Sequence, residues 1–118
     1  MSGMPSREIG RLISELQVLY YQFESRCRER GMDFILTCTT RTLSEQKELV
    51  AAGKSKTMNS KHLTGHAFDI AVMKHGKPSW KFEDYAPYGV IAEELGLTWG
   101  GSWKRFKDGC HFEMREET

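Results

Sequence analysis

The run Ser60-Lys61-His62-Leu63-Thr64-Gly65-His66-Ala67-Phe68-Asp69 constrains this chain more than any other, because it brings two imidazoles and a carboxylate within ten residues. His62 and Asp69 are too far apart to be neighbours on one helical face. They meet only if His62 lies on a loop entering a strand that carries Asp69, with Gly65 allowing the bend. Phe68-Asp69-Ile70-Ala71-Val72 has the alternation such a strand needs, with Phe68, Ile70 and Val72 turned to a core and Asp69 turned away. The segment lacks a third donor, which the C-terminal run Asp108-Gly109-Cys110-His111-Phe112-Glu113 offers in His111 on a separate strand.

A catalytic zinc takes three protein ligands and keeps one position open, with imidazole and carboxylate among its usual donors. His62, Asp69 and His111 make such a set, and the residues suggest no fourth member. Water held by a metal still needs a base to accept its proton. Asp108, three residues before His111 in a glycine-containing turn, is placed to reach the open side without being a ligand. Glu113 shares the face of His111 and is the competing base, read here as a supporting residue. His66 reads as exposed or supporting, and His75, beside Gly76, as solvated. Cys110 points away from His111 and reads as a buried structural thiol rather than a nucleophile or ligand.

The remaining segments read as scaffold. Apolar residues from Ile9 to Cys27 recur at spacings of three and four, and Gly31 follows, so the pattern predicts an amphipathic helix from about Ser6 to Arg30. Met32 to Thr39 reads as a strand. Thr42-Leu43-Ser44-Glu45 has capping-box spacing and starts a second helix at about Leu43. Arg41 then sits at the strand-to-helix junction and Gln46 one turn in, where both can point into one cleft or both can be solvated. Lys54 to Ser60 reads as a polar loop, His75 to Ser79 as a turn, Pro87 to Leu95 as a third helix with proline in its first turn, and Cys110 to Met114 as the last strand.

One domain spanning 1–118 fits this length, and 39% hydrophobic with 28% charged residues describes a globular chain. A formal charge of +1 argues against nucleic acid as the partner. Lysines cluster at Lys54, Lys56 and Lys61, and basic residues again at Lys104, Arg105 and Lys107. They read as solvated loops or as attraction to an anionic polymer such as a bacterial wall. Cys27, Cys38 and Cys110 form no Cys-x-x-Cys pair and read as reduced thiols. No secretory signal or membrane-spanning run is visible, so the expectation is a protein made in the cytoplasm, without membrane insertion, and monomeric.

Ser60-x-His62-x-x-Gly65-x-Ala67-x-Asp69 followed by Asp108-x-x-His111 resembles the signature of the M15 zinc peptidases. That group includes VanX- and VanY-type dipeptidases and carboxypeptidases and the L-alanyl-D-glutamate endopeptidases of phage endolysins. The similarity extends to Arg41-Thr42-x-x-Glu45-Gln46 and Trp99-Gly100-Gly101. It implies an α+β fold, with helices packed on a small antiparallel sheet, like that of the Hedgehog signalling domain and D,D-peptidases. It also implies one zinc held by His62, Asp69 and His111, and Asp108 as catalytic acid and base. Arg41 would polarise the substrate carbonyl or hold a carboxylate, with Gln46 and Ser60 lining the site. The implied activity is cleavage of the L-Ala–D-Glu bond in the peptidoglycan stem peptide, acting on the wall after release from the host cytoplasm. The alternatives are a D-alanyl-D-alanine carboxypeptidase and a non-catalytic, zinc-stabilised wall-binding module. Aspartate at position 108, where dipeptidases typically carry glutamate, favours the endopeptidase.

Overall fold

Phe68, Ile70 and Val72 are almost wholly buried and alternate along strand β2 (Ala67–Lys74), which runs through the middle of the sheet. The computed structural model describes residues 6–54, 60–105 and 107–115. Lys56, most of the polar loop expected over 54–60, and the first five residues lie outside them. Antiparallel to β2 run β1 (Phe34–Cys38) on one side, and β3 (Lys77–Ser79) and β5 (His111–Met114) on the other. A short β4 (Leu97–Trp99) pairs with β5, so the order is β1-β2-β5-β4 with β3 beside the far half of β2.

Two helices supply much of the apolar cover. Helix α1 (Ser14–Glu29) buries Leu16, Tyr20, Phe23 and Cys27, the stripe its spacing predicts. Helix α3 (Phe82–Glu94) buries Tyr85, Tyr88, Ile91 and Ala92. Between helices and sheet the aromatic rings interlock: Phe68 and Phe112 stack at 5.3 Å, and Tyr20 meets Phe68 edge-on at 5.1 Å. The fold is thus α+β with a small antiparallel sheet, as expected.

Three boundaries differ from the sequence reading. The first helix starts at Ser14 rather than Ser6; a 3-10 turn, Ile9–Arg11, precedes it and Ile13 is extended, donating its N–H to the Gly65 carbonyl at 3.1 Å. Helix α3 starts at Phe82, so Pro87 lies inside it rather than in its first turn. The early start is anchored by Tyr85, whose hydroxyl donates to the Ser79 carbonyl at 2.7 Å and accepts from Val72 N–H. The segment after His75 is a turn followed by β3, whose Pro78 is tolerated on a short strand at the sheet's margin.

Helix α2 (Leu43–Ala51) begins as expected, with both halves of the capping box formed: Thr42 Oγ1 accepts from Glu45 N–H at 3.1 Å, and Glu45 Oε1 accepts from Thr42 N–H at 2.7 Å. One irregularity bears on function. Phe34 pairs with Val72 and Leu36 with Ile70, but Cys38 pairs with Asp69, so β1 carries a bulge between Leu36 and Cys38. Regular pairing would have set Cys38 opposite Phe68. The extra residue turns the end of β1 toward the face that carries Asp69.

Candidate metal centre

Asp69 and His111 are directly opposed on β2 and β5, and opposed residues in an antiparallel pair share a face. His111 Nδ1 lies 3.1 Å from Asp69 Oδ1. His62 comes from a 3-10 turn, Lys61–Thr64, whose first residues are held by Ser60 Oγ accepting from His62 N–H at 3.2 Å. Gly65 ends that turn in the left-handed region, at φ 75°, the bend the sequence required. His62 Nε2 thereby reaches the same Asp69 oxygen at 3.0 Å. The two imidazoles meet edge to face, 5.0 Å between centroids, and both are buried.

The far side of each group is held by other residues. His62 Nδ1 faces the Thr39 carbonyl at 3.2 Å, so the ring donates there and keeps its Nε2 lone pair for the site. His111 Nε2 lies 2.8 Å from Glu113 Oε1, which leaves Nδ1 as the inward nitrogen. The other Glu113 oxygen pairs with Lys61 Nζ at 2.8 Å. Asp69 Oδ2 accepts from an Arg41 terminal nitrogen at 3.2 Å. Two imidazole lone pairs and one carboxylate oxygen converging, each backed by a hydrogen bond on its outer side, form a donor set that suits zinc.

Without a metal the pocket holds protons instead. Burial alone would lower the pKa of His62, but its hydrogen bonds to Asp69 and Cys38 and the charge of Asp69 outweigh it and raise it to about 9. His111 is raised to about 9 in the same way, by Asp69 and Glu113 against burial. Burial would raise Asp69, yet the two histidines hold it well below the usual carboxylate range.

Among the described residues, Cys38, His62 and Asp69 also bring potential donor atoms together, all within 4.8 Å of one another. Sequence reading passed over Cys38, because only the β1 bulge sets it across from Asp69. Its Sγ lies 3.6 Å from His62 Nδ1, the ring edge that already faces Thr39. One ion takes one nitrogen of an imidazole. On His62 the nitrogen that faces Asp69 is Nε2, so Cys38 stands on the outer edge of that ring and His111 on the inner side of the site.

Asp108 is exposed, on a loop pinned to the start of β5. Its N–H donates to the Gly100 carbonyl at 3.0 Å, its carbonyl accepts from His111 N–H at 3.2 Å, and its Oδ1 accepts from Cys110 N–H at 3.3 Å. Gly100 is needed there: a Cβ would run into the Asp108 carbonyl and come within 3.2 Å of His111 Cβ. The protein around its carboxyl and the charge of Asp69 push the Asp108 pKa up from the ordinary carboxylate value. Gln46 is fully buried and accepts from Arg41 at 3.1 Å, so these two are in contact. His66 bonds Thr64 Oγ1 at 2.7 Å and not Asp69. Cys110 is half-buried, and burial pushes its thiol up to about 11. The sequence reading missed Lys61 as the partner of Glu113 and Trp103 as the ring against His111, at 5.2 Å between centroids. Lys61 read as one more loop cation; its adjacency to His62 was the available signal.

Comparison with known proteins bears on the same residues. An M15 peptidase family model described as D-alanyl-D-alanine carboxypeptidase matches residues 53–114, which include His62, Asp69, Asp108 and His111 but not Arg41 or Gln46. The peptidoglycan L-alanyl-D-glutamate endopeptidase CwlK of Bacillus subtilis is 36% identical over 104 residues, covering 72% of this chain and 62% of the relative. The L-alanyl-D-glutamate peptidase of Listeria phage A118 is 33% identical over 87 residues, covering 71% of this chain and 31% of the relative. The chain therefore spans less than two thirds of either. Among solved structures, the L-Ala D-Glu endopeptidase ChiX of Serratia marcescens superposes with a TM-score of 0.78 at 32% identity, over 98% of this chain and 89% of that one. The vancomycin-resistance D,D-dipeptidase VanXYg shares the fold at a TM-score of 0.61 and 14% identity, over 87% of this chain and 50% of that one.

Proposed function

The chain belongs to the M15 peptidase family, and from that premise we propose that it is a zinc-dependent peptidase of the bacterial wall that hydrolyses the L-Ala–D-Glu bond of the peptidoglycan stem peptide. The observation that carries this reading is the convergence of His62 Nε2 and His111 Nδ1 on one oxygen of Asp69, with the Asp108 loop hydrogen-bonded to the His111 backbone. His62, Asp69 and His111 would hold the zinc, and Cys38 would stay behind the His62 ring.

Bound there, zinc supplies Lewis acidity, which brings the pKa of a water molecule toward neutrality. The protein's own groups do the rest. Asp108 accepts the proton of the attacking water at its carboxylate and returns it to the departing amine. Its raised pKa suits both halves of that exchange better than an ordinary carboxylate would. Ser60, whose hydroxyl caps the turn that presents His62, and Trp103, whose ring lies against His111, would line the substrate side of the site. Gln46, fully buried, supports Arg41 rather than reaching substrate.

The endopeptidase reading is favoured over terminal D-Ala removal by the named activities of CwlK, the phage A118 enzyme and ChiX, each at 32% identity or more. Mass spectrometry of defined muropeptides treated with zinc-loaded protein decides between them. Products ending in L-Ala and beginning with D-Glu are expected. Release of terminal D-Ala alone would establish the carboxypeptidase, and unchanged muropeptides that still sediment the protein with intact wall would establish a binding module.

A further inference from the structure

Arg41 is expected to act on the substrate, yet each of its terminal nitrogens commits one N–H to the protein. One terminal nitrogen donates to Asp69 Oδ2 at 3.2 Å and the other to Gln46 Oε1 at 3.1 Å. Nε is buried and has no hydrogen-bond partner among the described residues, so it does not face solvent. The backbone binds the site too: Arg41 N–H donates to the His62 carbonyl at 3.1 Å. A single residue thus touches both halves of the ligand segment, and it is fixed by helix α2 through Gln46, which is fully buried.

We propose that Arg41 is a positioning residue that makes Asp69 a one-oxygen ligand and so keeps a coordination position free for water. The proposal rests on the ligand set given above. A carboxylate can offer a metal one oxygen or two. Here Oδ1 collects the two histidines and Oδ2 is occupied by the guanidinium, whose charge also offsets that of a carboxylate only 17% exposed in its side chain. Remove Arg41, and Oδ2 is left without its charged partner and free to turn onto the metal. That would fill the position a catalytic zinc keeps open. Gln46 contributes at one remove, by holding the guanidinium against Asp69.

The test uses the whole chain and reads the metal, not the substrate. Zinc affinity is measured by chelator competition, and coordination by the visible spectrum of the cobalt-substituted protein, for wild type, Arg41→Met and Gln46→Met. Arg41→Met is expected to weaken zinc binding about 10- to 100-fold, the range for loss of an outer partner of a ligand, and to lower the cobalt band intensity as the coordination number rises. Gln46→Met, which leaves the guanidinium in place, is expected to shift both in the same direction by less, and it decides the matter if Arg41→Met does not fold. Unchanged zinc affinity and an unchanged cobalt spectrum in both variants, with only kcat reduced in Arg41→Met, would overturn the proposal and return Arg41 to the substrate. Since neither readout involves peptidoglycan, a wrong assignment of the scissile bond leaves the test intact.

Discussion

At the scale of single residues, the proposed acid and base, Asp108, and the proposed ligands, His62, Asp69 and His111, are separable. Among the described residues, the hydrogen bonds of Asp108 to this strand region go to the backbone of Cys110 and His111, so on the proposed ligand set its side chain can be removed without disturbing zinc. Asp108→Ala is expected to bind zinc stoichiometrically while losing about 100- to 10,000-fold in kcat, the usual worth of a positioned acid or base. Muropeptide turnover together with metal analysis checks both halves; near-normal turnover would remove Asp108 from the chemistry. The proposed ligands behave differently with pH. His62 and His111 are raised to about 9 in the metal-free protein, so zinc entering at neutral pH must displace their protons. Apparent zinc affinity should therefore fall as pH drops below about 9, by about tenfold per unit for each proton displaced, and titration calorimetry in buffers of different ionisation enthalpy should register proton release at pH 7. The same shifts stabilise the metal-free fold. The histidine contribution is complete below about pH 6.5 and is lost as pH rises through about 9. The contribution of Asp69, whose pKa is depressed, is present above the ordinary carboxylate pKa and lost as pH falls below it. A melting temperature of chelated protein that did not decline from pH 6.5 to 9 would contradict the histidine part.

At the scale of elements, the site depends on a turn and a bulge. Gly65 closes the 3-10 turn at φ 75°, and a Cβ there would sit 2.8 Å from the Arg11 carbonyl. Gly65→Ala is expected to cost about 1–3 kcal/mol in urea denaturation, since it combines a left-handed backbone with a steric clash, and to weaken zinc binding because the turn presents His62. An unaltered denaturation midpoint would show that the N-terminal segment yields without cost. That contact also explains which parts were legible from the residues alone. The alternation of Phe68, Ile70 and Val72, the capping box at Thr42, and the strand-borne positions of Asp69 and His111 are local patterns, and each stands where the sequence indicates. The start of α1 is not local. Ile9 and Leu12 continue the apolar period, yet Ile13 is drawn out of the helix by Gly65, 52 positions on. Pro87 misled for a similar reason: Tyr85 is tied to Ser79 and Val72, and this tertiary anchor sets the start of α3 upstream of the proline. The β1 bulge left no sequence mark at all, and with it went the place of Cys38 and the Thr39 carbonyl behind His62.

At the scale of the whole molecule, core and site occupy opposite faces of one sheet. Phe34, Phe68, Ile70, Val72 and Phe112 of the sheet share one core with Phe23 of α1 and the buried face of α3, with no help from the proposed ligands, whereas Asp69 and His111 look the other way. No described helix is long and apolar enough to cross a membrane. A fold whose apolar core is complete without metal differs from small zinc domains, in which metal binding is itself the folding energy. Chelation is therefore expected to abolish muropeptide cleavage while near-ultraviolet circular dichroism, which reports the packed aromatic core, is retained. Stability should fall only by the linkage term, about 2.7 kcal/mol for zinc previously present at one hundred times its dissociation constant. Restoring zinc should recover cleavage without a refolding step. If the chelated protein instead lost its near-ultraviolet signal, the metal would be holding the fold together; the separation of core and site across the sheet would then have no energetic meaning.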